Sequence, residues 1–442
     1  MQKQISELQM IHLVPHYIKL KIPKDWEVVR LKKIVKSHNS GIFKNQEFYG
    51  EGENIVGVSD LYNHSKIDGQ IFRLVMLTEE EKKDHVLEKG DLIYGESSLV
   101  RTGIGKSLYV TEKGEGTIFA WHTRRFKIDS KASPSFVYYM LDFEKIRNSI
   151  INRSTTTALT GVTTTDYFNT KILLPKKEEQ QKIASILSIV DSLINQTQKE
   201  IEQTQRLKKG LMQKLLTKGI GHTKFKKVNY IYQRRVEIPE EWSYQPLSEI
   251  IELKNGFAFK SEFFVDQNNL VVITPGNFHK ERRLYFNSRN TTFYDGPIPE
   301  GFVLENGDLL IVMTDLTREG VILGNAIILD SKYTILHNQR IAKVFFKKEI
   351  NKEFLFNFLN TNFFKIQIKR TAAGSTVIHT SVDRILNCLI PIPSLDEQEK
   401  IVSKLSNLNL KFESFRKQKS YIETLKKGLM QKLLTGQIRV KV

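Results

Sequence analysis

The eleven residues LKKGLMQKLLT at Leu207–Thr217 recur unchanged at Leu425–Thr435, 218 positions downstream. An identical string of that length marks a duplication, so the chain must fold as two copies of one unit. The echo extends upstream, where Glu179-Gln180 with Lys182-Ile183 returns as Glu397-Gln398 with Lys400-Ile401 at the same offset. No residue has been gained or lost between these landmarks. Tolerance of changed sequence but not of changed length points to a rigid spacer.

Two further echoes order each copy. Ile22-Pro23-Lys24-Asp25-Trp26 is answered by Ile238-Pro239-Glu240-Glu241-Trp242, and Leu87-Glu88-Lys89-Gly90-Asp91-Leu92 by Leu304-Glu305-Asn306-Gly307-Asp308-Leu309. Each copy therefore runs from IPxxW through a variable stretch to LExGDL, then through more variable sequence to the long repeated segment. The variable stretches read as mixed α/β with a strand bias: short apolar runs at 91–94, 106–110, 309–313 and 326–329 are bounded by Gly, Asn, Asp and Ser. Helical patches are expected at 135–148 and 352–369. The latter carries Phe354, Phe356, Phe358, Phe363 and Phe364, a set read as core rather than as a platform for stacking bases.

The repeated segments carry apolar residues at helical spacing. Ile183, Leu187, Val190, Ile194, Ile201, Leu207, Leu211 and Leu215 make one stripe. Ile401, Leu405, Leu408, Phe412, Phe415, Ile422, Leu425, Leu429 and Leu433 make the other, in the same heptad phase. Two stripes in one phase are built to bury each other as an antiparallel coiled coil. Ser394-Leu-Asp-Glu397 is a capping box, Glu178 and Glu179 place negative charge in the first turn of the other helix, and Gly219 and Gly436 are the expected C-caps. A helix from Glu179 to Leu216 would be about 57 Å long. Gly210 and Gly428, inside the helices, call either for a closely approaching partner or for a frayed last turn.

Charge narrows the function. Against 49 Asp plus Glu stand 67 Lys plus Arg in 442 residues, a formal +18 that favours a polyanion, nucleic acid first. Apolar runs such as Leu309–Met313 fall far short of the roughly eighteen residues a spanning helix needs. The first twenty residues lack a signal-peptide core, so a cytoplasmic protein is expected. The single Cys388 excludes an internal disulfide framework and a multi-Cys zinc site. Catalytic signatures are missing too. Gly103-Ile-Gly105-Lys106-Ser107 resembles the end of a phosphate loop, but the first glycine of that motif is replaced by Val100. There is no HExxH, no Pro-Asp opening of a magnesium nuclease, no Asn-Pro-Pro-aromatic methyltransferase signature and no GxGxxG. Glu80-Glu81-Lys82 reads as a solvated helix face. The chain is expected to be non-catalytic, with no cofactor and no metal of its own.

This arrangement resembles the specificity subunit of Type I restriction-modification enzymes. The residues that carry the resemblance are Pro391-Ile-Pro-Ser-Leu-Asp-Glu-Gln-Glu-Lys-Ile401, the two LKKGLMQKLL strings and the paired Gly-Asp-Leu phrases, and it spans essentially the whole chain. The first copy departs in carrying Leu173 where the second has Pro391 and in lacking a capping Ser. The resemblance implies a mixed α+β fold with a pseudo-two-fold internal repeat: an N-terminal segment (1–21), target recognition domain 1 (22–175), a central spacer helix (176–219), a linker with target recognition domain 2 (220–393) and a C-terminal spacer helix (394–442). The segment before Ile22 either packs near the end of the C-terminal helix or forms a loose tail. The implied partners are double-stranded DNA, two methyltransferase subunits and, through them, restriction subunits. S-adenosylmethionine, ATP and magnesium would belong to those partners.

Two unlike domains held at fixed separation suit two unlike half-sites. Candidate DNA-contacting residues follow the Gly-Asp-Leu strands as Ser97 and Arg101 in the first copy and Thr314 and Arg318 in the second. Arg124 and Arg125 are set beside Asn338, Gln339 and Arg340, because Arg suits guanine and Asn or Gln suits adenine. Polar loops at Ser154 and Thr156, and at Ser375, precede the helix entries. Two other readings are a self-contained restriction or modification enzyme with a degenerate active site, which would cut or methylate DNA alone, and an RNA-binding or scaffolding protein, which gel shifts would separate.

Overall fold

The computed structural model describes residues 8–14, 18–155, 160–231, 234–317 and 319–441. The chain forms two compact units, one of residues 1–198 with 417–442 and the other of residues 199–416. Both long helices are unbroken, Lys177–Lys218 and Leu395–Leu433, and each contributes one half to each unit.

In unit 1 a five-stranded sheet has the order Val35–Ser40, Thr123–Ile128, Leu92–Gly95, Ser107–Val110, Lys66–Ile67. Unit 2 repeats the first four positions as Ile251–Asn255, Ile341–Phe346, Leu309–Val312, Ala326–Ile328, antiparallel throughout. The apolar runs at Leu92–Gly95 and Leu309–Val312 are buried at every residue, which explains why they lack an alternating polar face. Beside this shared sheet lies a second, of three strands in unit 1 (Ile118–Phe119, Tyr49–Val56, Arg73–Val75) and five in unit 2, where Thr334–Leu336, Leu270–Val272 and Thr292–Tyr294 repeat the same parallel and antiparallel pairing.

The expected helical patches are each two helices. Pro134–Asp142 and Glu144–Ile151 are separated by Phe143 in an extended conformation. Lys352–Leu359 and Asn362–Thr371 are separated where Thr361 Oγ1 accepts from Phe364 N at 3.2 Å and starts a new helix. Phe354, Phe358 and Phe364 are fully buried, with Phe356 and Phe363 packed against them, as the core reading required.

Three echoes seen in the sequence meet at one joint in each unit. The Trp26 indole N–H donates to Glu179 Oε2 at 3.3 Å, and Trp242 donates to Glu397 Oε2 at 2.9 Å. The segment leaving the opposite helix then closes on the same carboxylate. In unit 1, Arg439 Nε and Nη2 donate to Glu179 at 2.7 and 2.8 Å while Nη1 and Nη2 reach Asp25. In unit 2, Ile220 N and His222 Nε2 each lie 2.9 Å from Glu397. The neighbouring glutamine works alike in both copies: Gln180 accepts from Ser133 N and donates to Pro175 O, and Gln398 accepts from Asn351 N and donates to Pro393 O. The glycines after the helices, Gly219 and Gly436, have φ of +65° and +68°, the left-handed C-cap anticipated for them.

The LExGDL phrases are turns. Asp91 and Asp308 accept the backbone N–H three residues upstream, from Glu88 and Glu305, and Leu92 and Leu309 enter the core. The glycine-rich turn at Gly103 and Gly105 is likewise internal, and Lys106 Nζ donates to Tyr62 O rather than facing a ligand. The N-terminal strand Leu8–Val14 pairs with Ile18–Pro23, the counterpart of Phe225–Ile231 with Arg234–Pro239 in unit 2. It packs into the core that also holds Leu433 and Leu434 at the end of the C-terminal helix.

Within unit 1 the helices run antiparallel, since Asp191 meets Lys426 at 2.8 Å and Gln198 meets Lys419 at 2.8 Å. The heptad positions Ile183, Val190, Thr197 and Thr204 are all buried. Ile194, Leu211, Leu408, Phe412, Phe415 and Leu429 of the expected stripes are half-buried, and two members are exposed. Leu207 and Leu425, equivalent in the two copies, are 53% and 44% exposed. The buried face of the repeated string is carried instead by Met212, Leu215 and Leu216, and by Met430, Leu433 and Leu434. The side of the helix that holds Leu207 and Leu425 faces outward.

Candidate nucleic-acid interface

At one end of the unit 1 sheet, three of the sequence-chosen clusters converge. Thr123 pairs with Gly95, and just beyond the strands Glu96 N donates to the carbonyl of His122 at 2.9 Å. Ser97 pairs with Gly161, whose carbonyl accepts from Thr155 N. The loop of Ser97 to Arg101, the Trp121–Arg125 segment and the Ser154–Thr155 turn are thereby brought together. Unit 2 repeats the arrangement: Met313 N donates to Arg340 O at 3.0 Å, Thr314 pairs with His379, and Ala373 bridges to His379 beside the turn that holds Ser375.

Individual side chains differ in what they leave available. Arg101, Gln339, Arg340 and Ser375 are exposed. Ser97 and Asn338 are half-buried, and Asn338 Oδ1 accepts from Arg340 N at 3.0 Å, shaping its own turn. Arg124 is braced, donating to Glu96 at 2.6 Å, His38 Nδ1 at 3.2 Å and Ser40 Oγ at 2.7 Å. Burial, with the Arg124 charge beside it, pushes the His38 imidazole below its ordinary value, so it stays a neutral acceptor. Arg125 donates to Asn39 and to the carbonyls of Val86 and Asp84, fastening the end of the short helix Glu79–His85. Ser154 Oγ donates to Ile151 O at 2.6 Å, and Thr314 is 8% exposed within its strand. Thr156 and Arg318 lie outside the described residues.

The backbone corrects one equivalence. Gly41 and Gly256 each sit where a Cβ would lie 2.0 Å from a carbonyl oxygen, of Ala120 and His337 respectively. The matching hydrogen bonds are Trp121 N to Ile42 O and Gln339 N to Phe257 O. Trp121 and His122 therefore correspond to Gln339 and Arg340, whereas Arg124 and Arg125 continue into the strand that Ala342 and Lys343 occupy in unit 2. Sequence reasoning missed Trp121, His122 and Phe43. Trp121 is 50% and Phe43 60% exposed, and burial of an aromatic is the ordinary expectation from sequence. It also missed Leu99, 85% exposed, and its counterpart Leu316, 61% exposed, at the tips of the loops after the Gly-Asp-Leu strands.

The fold and these paired loop ends define a two-domain protein built on a pair of long helices, with the same scaffold and unlike tips. Two separate segments, residues 23–203 and 239–424, match the family described as the Type I restriction modification DNA specificity domain. The chain belongs to the Type I restriction enzyme specificity-subunit family. It is 30% identical over 439 residues to the MjaVIII specificity subunit of Methanocaldococcus jannaschii, covering 96% of this chain and 95% of that one. A putative MjaX specificity subunit of the same organism is 29% identical, again with 95% of each chain covered. The crystal structure of the S subunit from M. genitalium shares the fold, with a TM-score of 0.54 at 15% identity, covering 96% of this chain and 98% of that one. Among the described residues, no helix is long and apolar enough to cross a membrane.

Proposed function

We propose that the chain reads a bipartite, asymmetric DNA target, one half-site per unit, and itself performs no chemistry. Two methyltransferase subunits dock on it and carry restriction subunits with them; S-adenosylmethionine, ATP and magnesium act on those partners. The observation that carries the reading is the equivalence of Trp121-His122 with Gln339-Arg340: one backbone frame presents chemically unlike side chains at the same place in each unit. Unlike tips suit unlike half-sites, and Gln and Arg are the side chains that pair bidentately with adenine and guanine in the major groove. Of the residues selected by sequence, Arg101, Gln339, Arg340 and Ser375 are exposed enough to meet bases or phosphates. Arg124 and Arg125 serve better as braces that fix the tip. Ser97, Asn338, Ser154 and Thr314 shape the loops, and Thr156 and Arg318 stand as candidate contacts on sequence alone. The +18 charge supplies phosphate affinity.

Docking of two equivalent partners is supported by the outward face of the repeated string. Leu207 with Gly210 in one copy, and Leu425 with Gly428 in the other, present an identical surface with open space at both glycines.

Mapping methylated adenines in a host carrying the chain with its partner subunits tests the reading. A split, asymmetric motif is expected, and a continuous or palindromic one overturns it. Inserting four residues within Gln196 to Gln205 should change the unread gap or abolish binding. Unchanged binding at the original spacing argues against a helical ruler. Cleavage or methylation by the purified chain alone would replace this reading with that of a self-contained enzyme.

A further inference from the structure

We infer that Phe43 and Trp121 form an apolar base-reading tip in unit 1, and that it packs on the C5-methyl group of a thymine in that unit's half-site. The inference rests on the proposed reading of duplex DNA.

The two rings meet edge to face at 5.0 Å, with Phe43 60% and Trp121 50% exposed. They border an open cleft of about 310 Å³ that Tyr49, Arg73 and His122 also line. Exposed aromatics of this size are costly to leave in water, and here the backbone holds them out. His122, stacked on Trp121 at 4.1 Å, has φ of +64°, a left-handed conformation that an L side chain rarely adopts. Gly41 fixes the loop from the other side, because any Cβ there would strike the Ala120 carbonyl. Backbone strain of this kind clusters at contact surfaces.

What the tip contacts follows from its counterpart. Gln339 and Arg340 stand at the equivalent positions, and both are types that read base edges in the major groove. A loop in the same frame on the same kind of sheet end approaches the same groove. In that groove the only apolar feature a base pair offers is the thymine methyl, and an aromatic ring is suited to it. Arg73, whose guanidinium lies 5.3 Å from the Tyr49 ring beside the cleft, supplies positive charge toward the flanking phosphate.

The test uses the assembled complex and the duplex bearing its mapped target, with each thymine in turn replaced by deoxyuridine, which lacks only the methyl. Substitution at one position of one half-site should weaken binding roughly fourfold, the weight of one buried methyl. Trp121→Ala or Phe43→Ala should abolish that difference between thymine and uracil. The chain's other tryptophans, Trp26 and Trp242, are 2% and 1% exposed, so the acrylamide-quenchable fluorescence that Trp121→Phe removes from the complex reports Trp121. It should fall when the duplex is added. The inference is overturned if no thymine is methyl-sensitive, if the alanine variants keep the sensitivity, or if the partner subunits alone protect Trp121. Failure of the wild-type complex to bind any duplex would instead refute the DNA-binding reading itself.

Discussion

Arg439 and Glu179 form a two-pronged ion pair, Nε to Oε1 at 2.7 Å and Nη2 to Oε2 at 2.8 Å, across 260 residues of sequence. The pair brings the last residues of the chain to the first turn of the central helix, and Trp26 completes the joint from the start of the same unit. Glu179 is 3% exposed, so these partners, and not water, supply its hydrogen bonds. The corresponding carboxylate of unit 2, Glu397, is satisfied by Trp242, His222 and the Ile220 amide. The glutamate of the EQ phrase is thus the common anchor, and the partner from the returning segment is free to differ.

Arg439→Ala should destabilise unit 1 by about 3 kcal/mol, because it leaves a buried carboxylate with one indole donor. Arg439→Lys should recover only part of this, since an ammonium cannot span two carboxylates as a fork does. Hydrogen exchange at the Ile183 and Leu187 amides reports the joint. Protection unchanged in Arg439→Ala would show that the pair contributes nothing to stability.

Asp191 gives unit 1 an acid-sensitive point. Burial pushes its carboxyl up, but Lys426 at 2.8 Å, the Tyr139 hydroxyl and Lys66 at 3.0 Å outweigh burial and hold it below the ordinary value. A folded-state value below the unfolded one, about 3.9, contributes stability that is present above the unfolded value and lost as pH falls through the folded one. Asp25, lowered chiefly by its hydrogen bond to Arg439, acts with the same sign. Asp91, raised by burial, acts with the opposite sign. Urea midpoints measured from about pH 5 downward should fall, and Asp191→Asn should flatten that slope. At neutral pH Asp191→Ala should cost toward the low end of about 3–5 kcal/mol, by leaving Lys66 and Lys426 facing each other.

The duplication, the phase of the helices, the glycine C-caps and the short core strands were legible because each is set by local spacing. The joints were not. Trp26 and Glu179 are 153 residues apart, and nothing in either phrase states that they meet. Leu207 and Leu425 fit an apolar stripe by spacing alone, yet Met212 and Met430 occupy the buried side. The proposed recognition tips were the least legible. Trp121 and Gln339 share a backbone position but no chemistry, so the correspondence shows only in the backbone hydrogen bonds Trp121 N to Ile42 O and Gln339 N to Phe257 O. A surface selected for contact with another molecule breaks the rules by which a chain's own folding is read.

Gly210→Ala and Gly428→Ala should each stabilise the isolated chain by about 1 kcal/mol. Both glycines lie inside continuous helix, and a Cβ at either meets nothing within 4 Å. Neither a frayed turn nor an intramolecular close approach accounts for them. If these faces hold partner subunits at close range, the double variant should unfold at higher temperature on its own and yet bind methyltransferase subunits more weakly. Equal or tighter binding would place the docking surface elsewhere.

Arg340→Ala separates base reading from phosphate binding. Arg340 is exposed, and its backbone is fixed by the Asn338 side chain and by Met313 N. Loss of a side chain that reads a base should cost about 1–3 kcal/mol on the target and relax one position of one half-site. The slope of log affinity against log salt would then change little. A purely electrostatic contact would weaken all sequences alike and reduce that slope by about one. Binding of the variant to the target and to single-base mismatches, measured across a salt series, therefore decides whether Arg340 reads a base edge or neutralises a phosphate. Retention of full specificity would remove Arg340 from the reading tip and leave that role to Gln339 and Ser375.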